Sequence, residues 1–176
     1  VRVRDSIDAD LEAITAIYGR EVAGGTATFE LDPPELAEMA RRRRALVESG
    51  FPHLVAEIGG EVAGYASAGP YRPRPAYRHS VEISIYVAER HRGAGVGRRL
   101  TASLLDRCTA MGMRQAIAVI GGADNAASLA LHRALGFSRA GVLTDVGFKH
   151  GAWRDTILMQ RALGPGASTP PDVRPR

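Results

Sequence analysis

The stretch Val81–Leu100, VEISIYVAERHRGAGVGRRL, reads as a strand, a glycine-rich loop and the opening turn of a helix. Val81, Ile83, Ile85 and Val87 alternate with Glu82, Ser84 and Tyr86, the period of two that marks a strand with two different faces. Arg92, Gly93, Ala94, Gly95, Val96, Gly97 and Arg98 follow, and an apolar helical pattern begins behind them. A glycine loop that opens a helix is suited to holding an anion. Without Cβ atoms the backbone approaches closely, and the first free N–H groups of the helix point at the ligand. Neither common nucleotide loop fits. Gly93 and Gly95 match two positions of G-x-G-x-x-G, but the third is Arg98. A triphosphate loop requires Gly-Lys-Ser/Thr, and the only lysine, Lys149, lies far away. The same pattern also serves as an ordinary turn, so the flanking strand and helix carry the inference.

Composition narrows the classes. At 176 residues, 45% hydrophobic and 24% charged, the chain suits one soluble domain with a sizeable core. No apolar run spans a bilayer, and no signal-peptide pattern opens the chain. The single cysteine, Cys108, excludes an internal disulfide, and its leucine neighbours mark it as a buried core thiol. Both points suggest a reducing cytoplasm. The net charge of +4 rests on 22 arginines and Lys149, which favours phosphate-bearing ligands. Arg41 to Arg44 form the one basic run, and four consecutive helical residues spread around the axis, so we expect a solvated helix and no nucleic-acid face.

Taken in order, the chain opens with a strand at Val1–Arg4. A helix capped by Ser6 or Asp8 then carries Leu11, Ile14, Ile17 and Tyr18. A second helix starts at Asp32-Pro33-Pro34 and turns Leu36, Met39, Leu46 and Val47 inward. His53–Ile58 and Glu61–Ser67 form a hairpin about Gly59-Gly60. The loop Gly69–Arg78 is too rich in proline to be strand. A helix from Gly97 to Gly112 and a strand at Gln115–Ile120 come next, and Gly121–Asp124 is loop. Asn125 caps the helix Ala126–Leu135, and Val142–Phe148 pairs with Trp153–Arg161. We expect one domain over residues 1–163 and a loosely held tail over 164–176. The fold expected is α/β (α+β): a mixed, mostly antiparallel central sheet flanked by helices on both faces.

Arg92-x-x-Gly95-x-Gly97 resembles the loop of the acyl-CoA-dependent N-acetyltransferase superfamily (GNAT). A second match, Asn125-Ala126-Ala127-Ser128 running on to His132-Arg133-Ala134-Leu135-Gly136-Phe137, resembles one subgroup, the phosphinothricin and methionine sulfoximine N-acetyltransferases. Gly64-Tyr65-Ala66-Ser67, Val81–Val87 and Gly147–Trp153 resemble further stretches of that subgroup, and the likeness runs from about Val3 to Leu163.

The resemblance implies that acetyl-CoA lies on the loop. Ile85, Tyr86 and Val87 border the pantetheine arm, Arg92–Arg98 hold the pyrophosphate, and Asn125 and Ser128 add contacts. An amine must lose a proton before it attacks a thioester, and Glu82 is the candidate base; the alternative is a solvent-facing glutamate. His132 either gives the departing thiolate a proton or is a helix histidine bonded to a neighbour. For the acceptor amine, Thr28, Phe29, Arg72, Arg74, Pro75, Ala76, Tyr77, Arg78 and Lys149 supply cation and shape. Pro73–Ala76 departs from the loops of the subgroup, so the acceptor stays open.

The resemblance also implies a homodimer, and no histidine spacing implies a metal. The reading is an acetyltransferase acting on the α-amine of a small amino-acid analogue such as phosphinothricin, methionine sulfoximine or methionine sulfone. Two others stand beside it: acetylation of a protein N-terminus or another small amine, and a non-catalytic acyl-CoA sensor.

Overall fold

The computed structural model describes residues 1–122 and 125–171. Ala123 and Asp124 of the expected loop, and Asp172–Arg176 of the expected tail, lie outside the described residues. Seven strands form one sheet: β1 (Arg2–Asp5), β2 (His53–Ile58), β3 (Glu61–Pro70), β4 (Ser80–Val87), β5 (Gln115–Gly121), β6 (Ser138–Lys149) and β7 (Ala152–Ala162). Their spatial order is β1-β2-β3-β4-β5-β7-β6, and among the described residues only the central β4–β5 pair is parallel. The four helices are α1 (Leu11–Gly24), α2 (Leu36–Glu48), α3 (Val96–Ala110) and α4 (Ala126–Ala134).

The period-two pattern decides which helix meets which face. Val81 and Ile83 of β4 join Ala66, Ala116 and Ala118 beneath Leu100, Leu104 and Cys108 of α3. Val55 and Tyr65 point the other way and pack under Ile14, Tyr18 and Val22 of α1, with Met39 of α2. Helices therefore cover both faces, as expected. Cys108 is fully buried and its thiol is pushed up to about 11 by desolvation, which suits a core residue.

Three local expectations are corrected. The second helix starts at Leu36, not at Asp32: each residue before a proline is driven extended, so helical backbone begins only after Pro34 and an extended Glu35. Its inward face is also different. Met39 is buried, whereas Leu36 and Val47 are exposed. Arg43, one turn on from Met39, faces inward and donates to Ser6 Oγ at 2.6 Å and to Asp8 at 2.6 Å. Arg42 bonds Glu30 at 2.6 Å and Glu38 at 2.7 Å. The arginine run is therefore partly an anchor that ties α2 to the rest of the fold. Finally, Gly69 and Pro70 belong to β3, opposite Glu82 and Val81; a proline is tolerated there because it is the last residue of the strand. Beyond Leu163, Arg114 donates to the carbonyls of Gly166 at 3.1 Å and Pro170 at 3.3 Å.

Candidate active site

The site begins where two strands part. β4 and β5 are paired only from Ser80↔Gln115 to Ile83↔Ala118. Beyond that point β4 stays with β3 as far as Val87, while β5 follows β7 to Gly121. The edge of β4 from Ser84 to Val87 is thus open towards β5, and its backbone groups can bond an extended ligand laid beside them. Below this wedge the chain enters the glycine loop. Gly93 and Gly95 have φ of +80° and +78°, a left-handed backbone that other residues adopt only under strain. That geometry folds the loop back so that α3 starts at Val96, directly under the wedge. The first helical hydrogen bond runs from Arg99 N–H to the Gly95 carbonyl, which leaves the amides of Val96, Gly97 and Arg98 free to hold an anion.

The resulting cleft has a volume of about 430 Å³. It brings together most of the residues expected to hold the cofactor. Ile85, Tyr86 and Val87 form one wall, and Arg92, Gly93, Gly95, Val96, Gly97 and Arg98 form the floor. Asn125, Ser128 and His132 come across from α4. Ala94 is in the loop but does not line the cleft. Asn125 caps α4 by accepting the Ser128 N–H at 3.3 Å, which fixes the end of the helix that faces the loop.

His132 is buried and packs at right angles to the Phe137 ring. Its Nδ1 lies 2.8 Å from the Ser128 carbonyl. A carbonyl only accepts, so Nδ1 carries the hydrogen and Nε2 is a bare acceptor. Nε2 is buried with no hydrogen-bond partner among the described residues, and desolvation lowers the ring's pKa. The bond to the Ser128 carbonyl is the one the alternative of a helix histidine bonded to a neighbour requires; the neutral ring accepts at Nε2, and the protonated ring donates from it.

Glu82 lies on the opposite face of β4 from Val81 and Ile83, half-buried. Burial raises its carboxyl above the ordinary value, and the nearby Arg72 cation partly offsets this. A carboxylate of raised pKa, within a strand whose far end opens the wedge, is suited to accepting a proton near neutral pH.

The acetyltransferase (GNAT) family model matches residues 12–137, which take in all but the first residue of α1, the wedge, the loop and α4. The chain belongs to the acetyltransferase (GNAT) family. It is 51% identical to the phosphinothricin N-acetyltransferase of Alcaligenes faecalis over 97% of this chain and 86% of that one. It is 42% identical to the L-methionine sulfoximine/L-methionine sulfone acetyltransferase of Pseudomonas paraeruginosa over 96% of this chain and 98% of that one. The crystal structure of a GNAT superfamily phosphinothricin acetyltransferase from Sinorhizobium meliloti, in complex with acetyl-CoA, superposes with a TM-score of 0.95; the two are 50% identical over 98% of this chain and 93% of that one.

The residues expected to meet the acceptor in this GNAT fold come from distant segments. Phe29, between α1 and α2, rests in a notch made by two glycines. A Cβ on Gly121 would lie 2.9 Å from the Phe29 ring, and one on Gly147 would lie 2.3 Å from it. Thr28 Oγ1 is 3.0 Å from the Tyr18 hydroxyl, which also donates to Glu30 at 2.9 Å. Lys149, expected among the substrate ligands, is buried, and its Nζ donates to the Thr28 carbonyl at 2.8 Å. It acts as a strut under the 25–30 segment. Arg72, Arg74, Pro75, Ala76, Tyr77 and Arg78 are all exposed on the β3–β4 loop; Pro75–Tyr77 form one helical turn. Arg72 stands 5.0 Å from the centre of the Tyr71 ring.

Sequence reasoning missed five lining residues of the cleft: Glu21, Ala27, His91, Ala127 and Leu131. Leu131 was within reach of the helical period from Ser128, and Ala127 from Leu131, whereas Glu21 and Ala27 reach the cleft only through the packing of α1 and the segment after it.

Proposed function

We propose that this acetyl-CoA-dependent N-acetyltransferase acts on the α-amine of a small amino-acid analogue of the phosphinothricin and methionine sulfoximine class, by direct attack within a ternary complex. One observation carries the reading: a half-buried carboxylate, Glu82, on the same strand that opens into an anion-binding glycine loop. Acetyl-CoA, when bound, supplies the acetyl group as an activated thioester. The loop amides of Val96, Gly97 and Arg98 hold its pyrophosphate, and the open edge at Ile85–Val87 orients its pantetheine arm. Glu82 Oε removes the proton from the acceptor ammonium, directly or through water. A backbone N–H near Val87 faces the charge that develops on the thioester oxygen. His132 Nε2 takes up the second amine proton and returns it to the departing sulfur. Arg72 and Arg74 offer cations for the acceptor carboxylate, and Phe29 walls the pocket.

We further propose a homodimer formed through β6 and β7. Phe148 and Trp153 pair across these strands at 5.4 Å, and both are more than half exposed, with Leu143 and Val146 close behind. Such a patch suits a partner with the same surface. Light scattering of Trp153→Arg checks it: a monomer is expected. A cytoplasmic setting fits a free buried thiol and the intracellular donor, and no described helix is long and apolar enough to cross a membrane.

The test is coenzyme A thiol release from acetyl-CoA with a panel of acceptors: phosphinothricin, methionine sulfoximine, methionine sulfone, ordinary amino acids, polyamines and short peptides. Turnover on the first three is expected. Turnover confined to peptides or polyamines would overturn the acceptor assignment, and silence with bound acetyl-CoA would favour an acyl-CoA sensor.

A further inference from the structure

A carboxylate in a cleft built for a multiply charged anion needs a reason to be there. Glu21, on the last turns of α1, is the only acidic residue among the described residues lining the cofactor cleft. Its Oε2 lies 2.8 Å from Nη2 of Arg92, the arginine that opens the glycine loop. Its other oxygen is pressed against the start of the acceptor-side segment, where a Cβ on Gly25 would stand 2.4 Å from Oε1. Glu21, Val87 and Arg92 also line a second cleft of about 360 Å³ between α1 and the ends of β3 and β4. The Glu21–Arg92 pair is thus a partition between two open spaces, and it occupies the guanidinium that a diphosphate would otherwise attract.

We propose that Glu21 is a positioning residue for cofactor exchange: it holds Arg92 across the cleft and competes with the diphosphate of coenzyme A for that guanidinium, which weakens coenzyme binding and hastens product release. This rests on the reading of the glycine loop as the pyrophosphate site. Arg92 is more than half exposed and Glu21 about one-fifth exposed, so the pair is of the weak, solvent-screened kind that an incoming phosphate can break. Phosphate bears more charge than a carboxylate and accepts the same two-pronged guanidinium contact, so the exchange favours the bound cofactor. Direct repulsion between Glu21 and the diphosphate acts in the same direction and is distinguished by the Arg92 background.

The test is calorimetric titration of coenzyme A and acetyl-CoA into the whole protein and into Glu21→Gln, Arg92→Gln and the double variant, together with steady-state kinetics and melting temperatures. Glu21→Gln is expected to bind both ligands roughly threefold to tenfold more tightly at low salt, with the gain shrinking at high salt. The KM for acetyl-CoA should fall in parallel while the KM for the acceptor stays put, and kcat should fall if release limits turnover. In the Arg92→Gln background the same change should have a much smaller effect, the part owed to direct repulsion alone. Unchanged or weaker binding in Glu21→Gln, with the melting temperature preserved, would overturn the proposal. So would an equal gain in both backgrounds, since Arg92 would then not be the intermediary. If Arg92→Gln alone binds coenzyme A as the wild type does, the pyrophosphate reading of this arginine fails, and the competition fails with it.

Discussion

Where β4 parts from β5, the proposed cofactor site is made of backbone. The open edge at Ser84–Val87, two left-handed glycines and the free amides of α3 lie within a single run of about fifteen residues. The proposed acceptor site is made of side chains drawn from far apart, Phe29, Arg72 and Glu82, with Phe29 seated on the notch glycines Gly121 and Gly147. The difference has a chemical basis. A pyrophosphate with an extended amide arm can be recognised by N–H groups, which every residue except proline has, so glycines that permit the fold suffice. An amino-acid analogue must be recognised by charge and shape, which only side chains supply. The cofactor end should therefore respond to changes of backbone conformation and the acceptor end to changes of side chain.

The sharpest way to break that division is Glu82→Gln. Turnover should fall on the order of a hundredfold to a thousandfold, the size of a lost general base, while acetyl-CoA affinity by titration stays within about twofold. A loss of acetyl-CoA binding would show that the two ends are not separable. Next, Phe29→Ala empties the notch, and Gly147→Ala pushes the ring out of it. Both should raise the acceptor KM about tenfold and leave the acetyl-CoA KM alone in initial-rate measurements. Gly95→Ala tests the other end. A left-handed alanine costs about 1 kcal/mol, so acetyl-CoA affinity should drop roughly fivefold with the acceptor KM unmoved. The smallest effect is electrostatic. Arg72 lowers the pKa of Glu82, so Arg72→Ala lets that pKa rise further. The base must be deprotonated to work, and the acid limb of the kcat/KM profile should move to higher pH.

The same contrast explains what could be read from the chain beforehand. The glycine loop, the strand before it and the Asn125 cap are local, so spacing alone reveals them. Glu82 was legible because period two puts it on the face away from Val81 and Ile83. The Phe29 notch was not, because nothing near Gly121 or Gly147 in sequence tells what will press on them. Lys149 looked like a pocket cation for a similar reason: its buried bond to the Thr28 carbonyl depends on a segment from the other end of the chain. Arg43 was legible in principle, since it follows Met39 by four residues and shares its face, but reading the arginines as a block hid that. For His132, position along α4 pointed to the cleft, and only the carbonyl at Nδ1 fixed which nitrogen is bare.

The glycine notch also bears on the order in which a ribosome delivers the parts. Residues through His132, enough for the wedge, the loop and the α4 wall, emerge before Gly147 and Lys149 do. At about 5–20 residues per second the interval is on the order of a second. During it Phe29 has only the Gly121 side of its seat, and the 25–30 segment lacks its lysine strut. A nascent chain of this design would acquire its donor site first and its acceptor site last, so an acetyl-CoA-loaded intermediate would meet amines only once β6 and β7 have closed.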